Sequence, residues 1–408
     1  MSGRLANYLS EFGKRSPVSI AVSFQDGSTY RNRAEEPVVH VIFRSHEAQL
    51  RLLAYGHVGL LEAYFDGRVE IEGELRQLFR FGMDSRISTR PKLPVRLRNR
   101  WHEWRYSNRS LVQAKANARF HYGLGKDFYS QWLDVPLMMY TCAYWRDDTR
   151  TVEQAQRNKI EHVCRKIRLA EGERYLDVGS GFGGFLFHAY ERFGALGTGI
   201  NTTGEQVDEV RRDIELRGLA DKLQVIEADF REVQGQFDKL VSVGTLEHAG
   251  PDQLGVVVQA HADSLKPGGL GMLHFIGHAE PRETEYFIRQ YIFPGGWIPS
   301  LAETLVEMRK CGLEVLDVEN LRRHYALTLD AWAERFDARW EIIQGLDPQR
   351  FDERFRRIWR TYLYSCAEMF RSPKGVTNLF QITFSKGNVS RENYPMTRDF
   401  LYDAQARR

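Results

Sequence analysis

Between residues 174 and 277 the chain repeats one pattern five times, a short run of β-branched and aliphatic residues followed by a stretch of helical character. The runs are RYLDV at 174–178, GTGIN at 197–201, LQVIEAD at 223–229, DKLVSVG at 238–244 and LGMLHFIG at 270–277. A helix between two strands carries the chain back to where the sheet began, so such alternation predicts an α/β fold with parallel strands covered by helices. LEVLDVENL at 313–321 and NLFQITFSK at 378–386 add two strands, for a mainly parallel seven-stranded sheet. Ahead of the first strand, Thr151 and Gln154 form a capping box, and Ile160, Val163, Cys164 and Ile167 recur at helical spacing.

The first strand runs into Asp177-Val-Gly179-Ser180-Gly181-Phe-Gly183-Gly184. Glycines at a strand-to-helix turn let a ligand approach the backbone closely. Alone this is a weak signal, and a ligand-free tight turn or a dinucleotide fold also carries it. Three details favour S-adenosylmethionine. Asp177 precedes the first glycine, where it attracts a cationic amino-acid group and repels a pyrophosphate. The second strand ends in Asn201-Thr202-Thr203, not in the acid that clamps a nicotinamide cofactor's ribose. The third ends in Ala228-Asp229-Phe230, a polar and aromatic edge suited to adenine.

The remaining chain divides by composition. Its 408 residues suggest two or three domains. Residues 1–85 mix strand-like segments (SPVSIAVSF, PVVHVIF, RVEIEG) with helical ones, as in a small α+β domain. Residues 86–119 form a basic, aromatic linker, in which Pro91 and Pro94 interrupt any helix. Arg86, Arg90, Arg96, Arg98, Arg100 and Arg105 are interleaved there with Trp101, Trp104 and Tyr106. That mixture reads either as a solvated linker or as a membrane-surface segment, since arginines attract anionic headgroups and Trp suits the interface. A net charge of +3, with no recognised reader fold, gives no reason to expect a nucleic-acid partner. The four cysteines form no CxxC pair, so neither a disulfide framework nor a metal site is predicted. The first seventeen residues lack an apolar core, and no run of about 18 apolar residues occurs, so neither a signal peptide nor a membrane span is expected. The main domain extends over 120–387, and a polar tail over 388–408.

Further motifs follow in order: His121-Tyr122-Gly123, Met139-Tyr140-Thr141-Cys142-Ala143-Tyr144-Trp145, Gly-Thr-Leu-Glu247-His248, Leu273-His274-Phe275-Ile276-Gly277, Tyr291-Ile-Phe293-Pro294-Gly295 and His324-Tyr325 with Trp332. This series resembles the cyclopropane-fatty-acyl-phospholipid synthases and the mycolic acid cyclopropane synthases over roughly 118–387. The resemblance implies a class I, Rossmann-like S-adenosylmethionine-dependent methyltransferase with a lipid-engaging N-terminal domain. Its implied reaction passes a methyl group to a cis double bond of a phospholipid acyl chain, after which proton loss from the new methyl closes a ring. The implied base is a bound bicarbonate ion, held by Cys142, Glu247, His274, the backbone N–H of Ile276, and Tyr325. For the cofactor it carries over Tyr140, Thr141, the Asp177–Gly184 loop, Asn201, Thr202, Gln206, Ala228 and Asp229, with Phe230 under the adenine. It also implies a homodimer, and access to acyl chains calls for a cytoplasmic protein peripherally associated with the inner face of the membrane.

Taken singly, Cys142, His274 and Tyr325 read as packing residues and Glu247 as a turn cap; the ordered set carries the catalytic reading. Cys366 matches a cysteine proposed as a family nucleophile, but methyl transfer to an alkene needs no covalent enzyme intermediate, so helix packing is the preferred reading. The carbocation calls for aromatic faces, for which Tyr140, Tyr144, Phe275, Tyr291 and Tyr325 are candidates. Ser180, Phe182 and Leu246 stand where the family commonly has Cys, Trp and Phe. These changes flank the cofactor or the cation and leave the product open: a ring, or an exomethylene or methyl-branched chain. A non-catalytic lipid-binding protein is the reading from another class.

Overall fold

A computed structural model describes residues 2–85 and 92–402; Arg86, Arg90 and Pro91 of the basic linker lie outside them. The chain forms two compact units. The first comprises residues 1–105, 285–292 and 329–376; the second comprises 106–284, 293–328 and 377–408. The linear boundaries expected at 85, 119 and 387 therefore differ from the units. The N-terminal unit keeps the helix Leu93–Arg105 and takes back two segments from within the expected main domain.

In the first unit, β1 (Ile20–Ser23), β2 (Thr29–Arg31), β3 (Val39–Phe43) and β4 (Val69–Gly73) form a sheet in the order β2-β1-β3-β4. Along β3 the residues Val39, Val41 and Phe43 are buried and those between are not, so one face is covered. The helices His57–Phe65 and Leu75–Ser85 pack with the long helix Glu353–Arg371, which buries Ile358, Trp359, Tyr362, Leu363 and Phe370. Arg357 fixes its position, donating to the Tyr64 carbonyl at 2.8 Å and to Glu70 at 2.9 Å. Pro94 falls in the first turn of Leu93–Arg105, where its missing N–H has no helical partner to lose; the expected interruption does not occur there.

The second unit holds β5 (Arg174–Val178), β6 (Leu196–Asn201), β7 (Leu223–Glu227), β8 (Phe237–Val243), β9 (Leu265–His278), β10 (Leu313–Asn320) and β11 (Thr377–Lys386). They lie in the order β10-β11-β9-β8-β5-β6-β7. Pairs among β5 to β9 are parallel; β11 is antiparallel to both neighbours. The expected strands all occur, with β9 starting five residues early, at Leu265 rather than Leu270. Thr151 caps the helix Val152–Lys166 reciprocally with Gln154. β6 flanks β5 on one side and β8 on the other, so successive connections leave in opposite directions. Such a reversal opens a crevice at the carboxyl ends of the two strands. The tail is docked as far as residue 402, with Leu401 buried and its carbonyl accepting from Arg165 at 2.9 Å.

Candidate active site

At the end of β5 the amides of Gly179 and Ser180 both donate to the Ile200 carbonyl, at 2.9 and 3.0 Å, which pins the turn to β6. Gly179 takes φ +81°, and a Cβ there would lie 2.7 Å from Thr245 Oγ1. Gly181 takes φ +54° and faces open space. That space is a cavity lined by Tyr140, Thr141, Asp177, Gly179, Ser180, Gly181, Asn201, Thr202, Gln206, Ala228, Asp229 and Phe230. Gly183 is not in the lining; it starts the helix Gly184–Phe193, and a Cβ on it would press on Val210 at 2.9 Å. Asn201 donates to Gln206 Oε1 at 2.8 Å and holds the crevice's β6 side. The Asp229 carboxylate is taken by Arg231, at 2.6 and 2.9 Å, and caps a short turn. Its backbone, not its charge, is what the cavity can use.

Asp177 is buried, and its Oδ2 has no hydrogen-bond partner. Burial pushes its carboxyl up to about 7, against the pull of the Lys159 charge. Ser180 Oγ is likewise buried and unpartnered. An orphaned carboxylate oxygen, an orphaned hydroxyl and an open glycine fit a cofactor that brings an ammonium group and hydrogen-bonding edges.

Sequence reasoning missed Lys159. It is fully buried and donates to Thr141 Oγ1 at 2.8 Å. Asp134, Cys142 and Asp177 all act on its charge, and burial lowers its ammonium to about 8. One turn earlier, Gln156 donates to the carbonyls of Met139 and Thr141 at 3.0 and 2.8 Å. The helix Val152–Lys166 thus braces the segment that carries Tyr140, Thr141 and Cys142. The signal was available, since Lys159 lies on the same stripe as Ala155, Ile160 and Val163 and so points inward. A second missed pair is Tyr122 and His248, both in the cavity lining and 3.1 Å apart through Oη and Nε2. Burial lowers His248 to about 4, so it is neutral.

None of the expected base-holding residues lines that cavity; they sit just beyond it. Glu247 follows the lining residues Gly244 and Thr245, and the Gly244 amide donates to the His274 carbonyl at 2.7 Å. Glu247 Oε1 accepts from the Ile276 amide at 2.7 Å, so that N–H serves Glu247 rather than standing open to an anion. Glu247 Oε2 is buried without a partner, and burial raises the carboxyl to about 7. Gln381 Nε2 meets His274 Nδ1 at 3.1 Å. A donor there assigns the imidazole proton to Nε2, which is buried and unpartnered. The Cys142 thiol donates to the Ala143 carbonyl at 3.3 Å, and burial raises its pKa. Tyr325 is buried on a turn tied to the same segment: Thr328 Oγ1 accepts from the Ala143 amide at 3.1 Å, and His324 Nδ1 from the Trp145 amide at 2.9 Å. Cys366 belongs to the first unit, on Glu353–Arg371, where burial pushes its thiol up to about 12.

The aromatic candidates separate. Tyr140 lines the cavity, stacked on His121. Phe275 points to the opposite face of β9 from His274 and Ile276, into the core with Phe380. Tyr144 is sandwiched between His162 and His324, with centroids 4.2 and 4.7 Å away. Tyr291 lies in the first unit and donates to Glu62 at 3.2 Å. Of the three departures, Ser180 and Phe182 line the cavity, whereas Leu246 is packed in the core with Leu176 and Val178.

The sequence profile of the family described as mycolic acid cyclopropane synthetase matches residues 109–382. A probable fatty acid methyltransferase of Pseudomonas putida is 35% identical over 352 residues, covering 83% of this chain and 85% of that protein. The cyclopropane-fatty-acyl-phospholipid synthase of Escherichia coli K12 is 32% identical over 342 residues, with the same coverage of 83% and 85%. The crystal structure of a mycolic acid cyclopropane synthase complexed with SAH and CTAB superposes with a TM-score of 0.62 at 30% identity, over 67% of this chain and 98% of that one. These likenesses set aside the non-catalytic reading. The chain belongs to the mycolic acid cyclopropane synthetase family of S-adenosylmethionine-dependent methyltransferases.

Proposed function

We propose that this enzyme adds a one-carbon unit to the cis double bond of phospholipid acyl chains, forming cyclopropane fatty acids. The observation that carries this reading is a pair of buried, unpartnered atoms, Glu247 Oε2 on the turn after β8 and His274 Nε2 on β9, the strand paired with β8. S-adenosylmethionine supplies an electrophilic methyl group to such a site. Asp177 and Ser180 orient its amino-acid end, and Tyr140 offers an aromatic face beside the cavity. An alkene gives up no proton in advance, so positioning is the protein's first contribution. Water would trap the resulting cation as an alcohol, which makes the burial of Cys142 and Tyr325 functional as well as structural.

The last proton must leave the new methyl for the ring to close. Glu247 in its protonated form, which burial favours, and the Nε2–H of His274 are donors fitted to a small oxyanion such as bicarbonate, with Cys142 and Tyr325 on the neighbouring segment. Bicarbonate there would supply the base. Ile276 contributes through Glu247, by fixing its other oxygen. Acyl chains are reached at a bilayer, so the enzyme works as a peripheral protein, at the inner, cytoplasmic face of the membrane and as a homodimer. Among the described residues no helix is long and apolar enough to cross a membrane. A second reading, C-methylation to an exomethylene or methyl-branched chain, is favoured by Ser180 and Phe182 in the cavity lining and by the name of the Pseudomonas relative.

The test is product analysis on vesicles of cis-unsaturated phospholipid with S-adenosylmethionine and bicarbonate, by mass spectrometry before and after ozonolysis. An added CH2 that survives ozonolysis is the expected ring. An added CH2 that is cleaved selects C-methylation, as an exomethylene or a methyl-branched alkene, and no addition overturns the acyl-chain reading.

A further inference from the structure

The helix Leu93–Arg105 has a buried face and an exposed apolar one. Val95, Asn99 and His102 turn inward within the first unit, each no more than 3% exposed. Val95 packs with Val58 and Tyr286, and the His102 ring meets Tyr286 edge-on. On the other side Leu93, Leu97, Trp101 and Trp104 are 65%, 57%, 59% and 75% exposed. Spaced by four, four and three residues, they fall within an arc of about 80° at about 100° per residue, opposite the buried side chains. Arg96 and Arg100 border this stripe on one flank and Arg105 on the other, all exposed. The helix's single acid, Glu103, is held by Arg289 at 3.2 Å.

We infer that Leu93–Arg105 is the enzyme's bilayer-docking element, lying in the plane of an anionic lipid surface. Leu93, Leu97, Trp101 and Trp104 enter the acyl boundary, and Arg96, Arg100 and Arg105 rest among the phosphates. This deepens the proposed action on membrane lipids and rests on it. Charge selects the occupant. A second copy of the helix packed on the same stripe would set the exposed Arg96 and Arg100 of one copy against those of the other, whereas a lipid surface supplies both an apolar layer and negative charge. Trp combines an apolar body with an N–H that stays at headgroup level, and arginine stems run along the apolar layer with their heads in water.

Of the eight tryptophans, only Trp101 and Trp104 are among the strongly exposed residues, so their fluorescence reports on this helix. The full-length protein is mixed with vesicles of unsaturated phosphatidylcholine with and without phosphatidylglycerol, carrying nitroxide-labelled lipid. The expected result is a blue shift, quenching by nitroxides near the headgroup, and loss of aqueous quenching. Trp101→Ser with Trp104→Ser is expected to weaken vesicle sedimentation about tenfold or more. Turnover of vesicle lipid should fall in proportion, with turnover of lipid dispersed in detergent retained. Arg96→Gln with Arg100→Gln, which leaves the apolar stripe intact, should weaken binding to anionic vesicles alone and flatten its salt dependence. Wild-type protein that binds vesicles while Trp101 and Trp104 stay open to water overturns the docking assignment and leaves the lipid reading intact. Serine variants that bind as well as wild type, or that change oligomeric state instead of vesicle binding, overturn it too. No product from either vesicles or detergent-dispersed lipid strikes at the lipid reading itself.

Discussion

Asp177 and Lys159 carry most of the site's electrostatic tension. Each is buried, so the carboxyl is pushed up to about 7 against the pull of Lys159, and the ammonium down to about 8 against the pull of Asp134, then Cys142 and Asp177. Asp134, also raised to about 7, faces the same lysine. A carboxyl raised to about 7 is mostly neutral at pH 6, and a ligand's ammonium binds it only when ionised. Proton linkage therefore makes S-adenosylhomocysteine bind roughly eightfold more weakly at pH 6 than at pH 7.5. Isothermal titration across that range checks this. Asp177→Asn should remove the slope, whereas Lys159→Met should move its midpoint upward, because the cation opposing protonation is gone. A slope that survives Asp177→Asn would assign it to another group. At this scale the sequence was partly legible. Asp177 announced itself by standing before a glycine turn. Asp229 did not disclose that Arg231, two residues on, occupies its carboxylate. Phe275 was misplaced although the two-residue period of a strand separates it from His274.

At the scale of elements, the turn after β5 uses neighbouring glycines for different ends. Gly179 makes room for Thr245, and Gly181 makes room for the ligand. Gly179→Ala should cost about 1–3 kcal/mol of stability, by strain at positive φ and by collision with a side chain that is hydrogen-bonded to the Val178 carbonyl at 2.8 Å. Gly181→Ala should lower Tm less and instead weaken S-adenosylhomocysteine binding. Calorimetric melting with and without ligand separates the two, and equal loss of Tm with unchanged ligand affinity would refute the distinction. The strands were legible because alternation with helices constrains them strongly. The helix Leu93–Arg105 was not, because its apolar stripe is the exposed side, while the side it buries carries the polar Asn99 and His102 beside Val95.

For the whole molecule, neither composition nor periodicity could reveal that residues 329–376 belong with the first 105. The apolar stripe of Glu353–Arg371 says that it must be covered, and nothing in its spacing says by what. Deleting residues 1–105 removes the helices His57–Phe65 and Leu75–Ser85 from that stripe while leaving all seven strands of the larger sheet. The shortened chain is expected to aggregate or to bind a hydrophobic dye, by size-exclusion chromatography and fluorescence. A monodisperse, dye-silent fragment would show that the stripe finds other cover. The same interleaving has a consequence in time. On the ribosome the first 105 residues emerge long before the helix that completes their unit, which ends at Arg371. At about 5–20 residues per second that interval is roughly 15–50 s, during which the half-built unit holds unburied apolar surface in a crowded cell. Synthesis speed and chaperone supply, more than the final stability of either unit, would then set how much active enzyme a cell obtains.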